Sequence, residues 1–186
     1  MFKMLENKLY KRSNLLLKLF SRKYKQTKTI EHMMIDSIDI QENDRILEIG
    51  TGNGSVFKKI TEKLEKGSIK SIDSSKRKVR QMSRAIRKQK KTEQGGILYG
   101  HPERIPFEDR TFNKVFSLHT VQTCTDVRLA LREIYRVLQI DGRFYISIDN
   151  NAEKSEKKYI QLLQDQHFRD ISVIERDSCL CIIAVK

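Results

Sequence analysis

Short apolar runs alternate with longer amphipathic segments along this chain, and the alternation predicts its secondary structure. The apolar runs have the length of β-strands, and the longer segments repeat their apolar residues with helical spacing. The predicted strands are Arg45–Ile49, Ser68–Ile72, Ile97–Tyr99, Lys114–Leu118, Arg143–Ile148, Ile171–Glu175 and Leu180–Val185. The predicted helices are Thr29–Ser37, Ser55–Lys66, Lys76–Lys91, Asp126–Leu138 and Glu153–Gln166.

This order of elements predicts an α/β fold with a seven-stranded, mostly parallel sheet that carries helices on both faces. The last two predicted strands are joined by little more than Arg176, Asp177 and Ser178. Because a parallel crossover needs a much longer connection, we expect the last strand to be antiparallel. In such sheets a ligand binds at the carboxyl ends of the strands, beside the reversal of strand order.

A glycine-rich loop follows the first predicted strand. Residues 46–54 read Ile-Leu-Glu-Ile-Gly-Thr-Gly-Asn-Gly, with glycines at positions 50, 52 and 54. A loop of this kind exposes backbone N–H groups at a helix N-terminus and lets the main chain approach a ligand closely. The dinucleotide fingerprint has its third glycine or alanine one place later, where Ser55 stands. The loop therefore indicates a small-molecule site of another kind, with a structural turn as the alternative.

An acidic residue ends the second predicted strand. Asp73 lies 23 residues after Gly50, close to the spacing expected of a carboxylate that holds ribose hydroxyls. Asp73 and Ser74 also precede a helical segment, so a helix cap is the alternative interpretation. Because the glycine loop comes first, the ribose role is favoured.

Four motifs in order resemble the class I S-adenosylmethionine (SAM) dependent methyltransferases. Glu48-x-Gly-x-Gly-x-Gly54 is similar to motif I, and Gly100–Leu118 is similar to the family's G-D-A-x-x-L-P-F…F-D-x-V stretch. Residues 131–142 resemble its E-x-x-R-V-L-x-P-G-G stretch, and the likeness is closest to the small-molecule branch that includes quinone-biosynthesis enzymes. The resemblance implies SAM as cofactor, S-adenosylhomocysteine as product and a set of cofactor-binding residues. That set is Glu48, Gly50, Thr51, Gly52, Asn53, Gly54, Asp73, Ser74, His101, Pro102 and Leu118.

The chain departs from the family pattern at several positions. The family's acid after the third strand contacts the adenine amino group, whereas this chain has His101. A neutral histidine still accepts a hydrogen bond, although a solvent-facing loop residue is an equal alternative. Asn113 replaces the aspartate of F-D-x-V, and Ile140-Asp141 replaces the Pro-Gly before Gly142; these changes are interpreted as structural. Together they keep a non-catalytic SAM-binding accessory protein as an alternative.

The positive charge is concentrated in two segments. The 186 residues carry a net charge of +13, and residues 1–28 hold nine Lys/Arg against Glu6 alone. Residues 76–91 hold nine Lys/Arg and no acid. The first segment is amphipathic and could form a lid, lie on a membrane surface or act as a docking helix; a lid is preferred. A basic face also raises RNA as a methyl acceptor, although a solvated helix face is the commoner explanation.

Length and cysteine content narrow the class of protein. The chain is long enough for one domain, predicted over 29–186, after the basic helical segment 1–28. Three cysteines do not make a disulfide framework or a zinc site, so we expect a cytoplasmic protein. No apolar run reaches the length of a membrane span or a signal core. Asp149-Asn150 after the fifth predicted strand is too little for a metal site, and none is expected.

Methyl transfer from SAM requires alignment of donor and acceptor in a dry pocket, and a general base only if the acceptor is protonated. His119 is the candidate base, with a packed structural histidine as the alternative. The Asn/Asp-Pro-Pro-aromatic and Pro-Cys motifs of nucleic-acid methyltransferases do not occur. The sequence thus predicts transfer to an O, N or C atom of a small molecule. It leaves the acceptor's identity and the oligomeric state open.

Overall fold

A computed structural model describes residues 30–88, 94–118, 120–149, 153–176 and 179–186. Its seven strands are β1 (Arg45–Ile49), β2 (Ser68–Asp73), β3 (Gly95–Tyr99), β4 (Phe112–Leu118), β5 (Leu138–Asp149), β6 (Arg169–Arg176) and β7 (Cys179–Val185). The helices are α1 (30–37), α2 (Ser55–Lys63), α3 (Lys76–Lys88), α4 (Val127–Val137) and α5 (Glu153–Asp165), with a short 3₁₀ turn at Val121–Thr123. The predicted segment 1–28 and its boundary with the domain lie outside the described residues.

The strands form one sheet in the order β3-β2-β1-β4-β5-β7-β6. Strands β1 to β5 run parallel, and β7 pairs antiparallel with both β5 and β6. The predicted fold class is therefore confirmed, including the antiparallel last strand. The order reverses between β1 and β4, which places the carboxyl ends of β1, β2 and β4 around one crevice.

Two apolar cores cover the two faces of the sheet. On one face, α1, α2 and α3 bury residues that include Met33, Phe57 and Ile86 against the sheet. On the other, α4 and α5 bury residues that include Leu131, Ile134 and Leu163. The helical spacing of these apolar positions accounts for the arrangement, because each helix turns one stripe toward the strands. Among the described residues, no helix has both the length and the apolar character that a bilayer span needs.

Some element boundaries differ from the sequence-based prediction for tertiary reasons. Helix α2 was expected to reach Lys66 but ends at Lys63. Three backbone N–H groups after it, those of residues 65–67, instead donate to the carbonyl of Glu42 at 2.8–3.1 Å. Strand β3 begins at Gly95 rather than Ile97, because both glycines pair with β2.

Two family departures have structural explanations. Asn113 accepts a hydrogen bond from the Arg45 N–H at 2.9 Å and donates to Asp44 Oδ1 at 2.6 Å. It therefore joins β4 to the start of β1. Asp141 has a φ of 61°, the left-handed conformation that glycine adopts at such turns and that Asp tolerates better than most residues.

The stretch that resembles E-x-x-R-V-L anchors a loop. On α4, Glu133 accepts a hydrogen bond from the Ile105 N–H at 3.0 Å. Arg136 donates to the carbonyls of Ile105 and Phe107 and forms an ion pair with Asp109 at 2.8 Å. These bonds fix residues 105–109 between β3 and β4, which explains why an acid and an arginine stand three residues apart on this helix.

Candidate cofactor site

The glycine loop leaves the carboxyl end of β1 in an unusual backbone conformation. Gly50, Gly52 and Gly54 have φ values of 86°, 50° and 80°, a region that residues with a side chain rarely adopt. The Gly50 N–H donates to the carbonyl of Ile72 at 2.8 Å, and the Gly54 N–H donates to that of Thr51 at 2.8 Å. The loop is thus tied to β2 at its start and closed on itself at the start of α2.

The three glycines serve different purposes. A Cβ on Gly50 would lie 1.9 Å from Thr120 Oγ1, and one on Gly54 would lie 2.7 Å from Met82 Sδ. These two positions are filled by the protein's own packing. A Cβ on Gly52 would meet nothing within 4 Å. Gly52 therefore borders open space at the strand ends, where a ligand could approach the backbone.

Asp73 connects this loop to the end of β2. Its Oδ2 accepts hydrogen bonds from the Thr51 N–H at 3.1 Å and the Thr51 hydroxyl at 3.0 Å, and its Oδ1 accepts from the Ser75 N–H at 2.8 Å. Lys78 Nζ lies 3.6 Å away. Burial alone would raise the pKa of Asp73, but the hydrogen bonds from Ser75 and Thr51 and the Lys78 charge outweigh it and lower the pKa. Asp73 is therefore a carboxylate at neutral pH, with acceptor capacity left on Oδ1.

Glu48 lies beneath the loop in β1 and is 2 % exposed. Its Oε2 accepts a hydrogen bond from the Ser71 hydroxyl at 2.7 Å. Burial raises the pKa of Glu48 to about 8; Ser71 opposes this shift, while the charges of Asp73 and Glu31 add to it. Glu48 is therefore largely protonated at neutral pH, and this corner of the molecule holds three acidic side chains close together.

Glu31 belongs to the site's surroundings although sequence reasoning missed it. Its Oε1 accepts a hydrogen bond from Asn53 Nδ2 at 2.9 Å, which joins α1 to the glycine loop. The two residues are 22 positions apart in the sequence. The helical pattern of α1 predicts the helix but not which of its residues faces the loop. No local motif could have paired them.

The remaining predicted residues lie around the same strand ends. The Gly100 N–H donates to the carbonyl of Asp73 at 3.3 Å, so the end of β3 lies beside that of β2. His101 is exposed, with its Nε2 3.1 Å from the Tyr99 hydroxyl. Pro102 is buried and Ser74 is exposed.

The segment after β4 closes the other side of the crevice. Leu118 is half-buried at the end of β4, and Thr120 packs against Gly50. The Ser117 hydroxyl accepts a hydrogen bond from the Val121 N–H at 3.2 Å, which fixes the turn. His119, the predicted base, lies outside the described residues, as do the side chain of Asp149 and all of Asn150.

This arrangement suits a cationic ligand with a sugar. Asp73 and Glu31 supply negative charge, Glu48 adds a further hydrogen-bonding carboxyl, and the loop beside Gly52 leaves the backbone accessible. SAM carries a sulfonium, an ammonium and a ribose, so the residues present fit it. In the part of the chain that the structure describes, no group of three or more His, Cys, Asp or Glu residues is placed to hold a metal ion.

Comparisons with known proteins agree on one family. Residues 47–146 match the family described as a methyltransferase domain. YrhH of Bacillus subtilis, a candidate methyltransferase, is 78 % identical over 183 residues, which are 98 % of this chain and 100 % of that protein. The demethylmenaquinone methyltransferase of Thermotoga maritima is 29 % identical over 103 residues, 55 % of this chain and 42 % of that protein. The crystal structure of a SAM dependent methyltransferase from Aquifex aeolicus superimposes with a TM-score of 0.74 at 20 % identity, covering 83 % of this chain and 88 % of that one.

Proposed function

This chain belongs to the methyltransferase domain family, and we propose that it transfers a methyl group from SAM to an O, N or C atom of a small-molecule acceptor. The observation that carries the proposal is the loop at the end of β1: three glycines with positive φ, braced by Asp73 through Thr51, with open space beside Gly52. The φ of 50° favours glycine in any such turn, and the open space beside Gly52 is what a ligand would occupy.

The geometry supports a cofactor-binding role for each of these residues. The glycine loop lines the methionine end of SAM, where the backbone is open to a ligand. Its residues are Gly50, Thr51, Gly52, Asn53 and Gly54. Asp73 accepts hydrogen bonds from the ribose hydroxyls with the capacity left on Oδ1. Glu48 is assigned to the cationic part of the cofactor, whose positive charge would favour the ionised form of this buried carboxyl.

Four further residues complete the proposed cofactor site. Ser74, His101 and Pro102 are assigned to the adenosine side because they follow β2 and β3. Leu118 is assigned to the side on which the methyl group is presented. His119 as a general base remains a prediction from the sequence, since it lies outside the described residues.

Methyl transfer from SAM requires mainly that the protein orient the donor and the acceptor. When bound, SAM supplies a methyl carbon already activated by its sulfonium. The residues of this chain hold that donor in a fixed orientation and exclude water from it. The proposed acceptor class rests on the relative that is named for demethylmenaquinone, a quinone. We assign the reaction to the cytoplasm from the cysteine usage alone.

Two measurements on the full-length protein test this function. Calorimetry should show SAM binding, and Gly52→Val should weaken it at least about 30-fold, because the new side chain fills the open space and disfavours the φ of 50°. Gly96→Val is the matched control: its Cβ would lie 3.3 Å from the flexible Lys70 side chain, far from the loop. Equal SAM affinity in wild type and Gly52→Val would show that the cofactor binds elsewhere.

Transfer of labelled methyl groups to a cell extract then separates the alternatives. After phase separation, label in the organic or aqueous small-molecule fraction supports the proposed acceptor class. Label that disappears on ribonuclease treatment would replace it with RNA. SAM binding without any transfer would favour the non-catalytic accessory protein.

A further inference from the structure

Helix α3 carries a row of exposed cations. Its thirteen residues include seven Lys or Arg and no acid. One set recurs with i, i+3, i+4, i+7, i+8, i+11 spacing and so forms a single face of the helix. That face, here called the cationic stripe, consists of Arg77, Arg80, Gln81, Arg84, Ala85 and Lys88, all of which are exposed and line an open cavity of about 590 Å³.

The charge of this stripe is not neutralised by any residue that the structure describes. Lys78 pairs with Asp73, but within the described parts of the chain no carboxylate lies within ion-pair distance of the stripe's four cations. Elsewhere, cations such as Arg136 and Arg169 are matched by acids at 2.8 Å or less. The stripe spans about 16 Å of helix axis, the rise of eleven residues. It therefore offers an anionic partner a linear array of cations that have no ion-pair partner among the described residues.

The opposite face of α3 reaches the cofactor site. Ile86 is buried and Met82 is half-buried in the core of the α1–α2–α3 layer. Met82 also packs against Gly54, where a Cβ would come within 2.7 Å of its sulfur. One helix thus separates the stripe from the glycine loop, a thickness of about 10 Å. Whatever binds the stripe is held close to the crevice.

We propose that the cationic stripe docks the protein on an anionic phospholipid surface, so that an apolar acceptor is methylated where it is dissolved. The proposal rests on the proposed function, in which the acceptor belongs to the quinone class. An uncharged quinone ring partitions into lipid, so its methylation requires the enzyme at the membrane surface. Juxtamembrane cations are attracted to anionic headgroups without any need for an inserted helix.

RNA is the other polyanion that would fit cations, and the surface favours it less. Binding of single strands combines cations with aromatic side chains on which successive bases stack. Tyr99 is the only aromatic among the large exposed apolar residues of the described chain, and its ring is already covered by Lys76 at 5.3 Å and met edge-on by His101. Among the described residues, this row of cations has beside it one exposed aromatic ring, which is already in contact with other side chains. Such a surface suits phospholipid headgroups better than nucleic-acid bases.

Vesicle co-sedimentation of the full-length protein tests the proposal. The protein should co-sediment with vesicles of phosphatidylcholine that contain about 30 mol % phosphatidylglycerol. It should not co-sediment with pure phosphatidylcholine vesicles. Because each cation strengthens binding about fivefold, Arg80→Gln with Arg84→Gln should weaken retention roughly 20- to 30-fold. The matched control, Lys58→Gln with Lys158→Gln, removes the same charge from exposed positions of α2 and α5 and should change retention less than about threefold.

Two results would overturn the proposal. If the control weakens retention as much as the stripe variant, binding reflects net charge and not this face. If single-stranded RNA binds more tightly than the vesicles at equal salt and the stripe variant abolishes that binding, the stripe is an RNA surface. SAM affinity measured without vesicles keeps the proposals apart. The stripe variant should retain that affinity within about twofold, since the stripe is the exposed face of α3 and Met82, which packs against Gly54, is on the other side. A protein that binds vesicles but not SAM would refute the proposed function alone.

Discussion

Buried acidic groups are paired with a cation at the amino ends of the parallel strands and clustered with one another at the carboxyl ends. At the amino end, Asp44 is 2 % exposed and meets Lys114 Nζ at 2.5 Å, the Asn113 amide at 2.6 Å and the Gln41 N–H at 2.8 Å. Lys114 also donates to the carbonyl of Asp39. At the carboxyl end, Glu48 and Asp73 are buried near each other and near Glu31, and Lys78 Nζ lies 3.6 Å from the Asp73 carboxylate.

The difference separates a structural end from a functional end. Where buried charges are fully paired, they hold elements together and need nothing further. Where acidic groups are buried together, Glu48 keeps its proton in the isolated protein at neutral pH, and a ligand that brings positive charge favours its ionised form. Each prediction below tests whether these two ends can be altered independently.

The largest effect should come from the amino end. Lys114→Met leaves Asp44 as an unpaired buried charge and should lower the free energy of unfolding by about 3–5 kcal/mol. SAM affinity of the folded fraction should stay unchanged, because the carboxyl end is untouched. Urea unfolding and calorimetry measure both, with Lys58→Met as an exposed control expected to stay within about 0.5 kcal/mol. A parallel loss of SAM affinity would mean that the two ends are coupled.

Glu48→Gln should make the folded protein more stable at high pH. Because the pKa of Glu48 is raised to about 8, its contribution to stability is fully present below the ordinary glutamate value and is lost as pH rises through about 8. The glutamine does not titrate, so the variant should exceed wild type by roughly 3–4 kcal/mol at pH 8.5, the difference shrinking toward pH 5. Urea unfolding midpoints of wild type and variant, measured across that pH range, test this prediction. If both proteins depend on pH in the same way, Glu48 is ionised throughout the range.

Asp73→Asn should affect binding more than folding. Loss of one charge-assisted acceptor weakens SAM binding by about 10- to 100-fold. The amide oxygen still accepts from Thr51, so the unfolding free energy should fall by no more than about 2 kcal/mol. Because the pKa of Asp73 is lowered, its contribution to wild-type stability is present above the ordinary aspartate value and disappears only as pH falls through that lowered value. Full SAM affinity in the variant would remove the ribose role.

The smallest effect should come from Glu31→Gln. The glutamine oxygen can still accept from Asn53, so the contact between α1 and the loop survives while one negative charge is lost. SAM affinity should fall about two- to fivefold at low salt and less at high salt. The matched control is Glu62→Gln on an exposed position of α2, which should leave affinity unchanged.

Local signals predicted most of the fold but only part of the site. The β1 boundaries agree with prediction, and the glycine loop and Asp73 come together through the β1–β2 pairing that parallel topology imposes. Ser75, whose hydroxyl accepts from the Lys78 N–H at 3.4 Å, caps α3 in place of the residues weighed for that role.

The contacts that escaped prediction join distant elements. Glu31 meets Asn53 across 22 positions, and Asn113 meets Asp44 across 69. Neither spacing carries a pattern that composition or periodicity could reveal. The outward face of α3 was visible only as a basic run until the structure divided its residues between core and solvent.

Strand β7 lies between β5 and β6, although it follows both along the chain. During synthesis, β6 therefore emerges from the ribosome before the only described strand with which it pairs. Until β7 has left the exit tunnel, β5 presents a long unpaired edge, and such edges invite association with other chains. The sheet can therefore be completed only after β7 has left the exit tunnel, and until then β5 is the edge that needs protection.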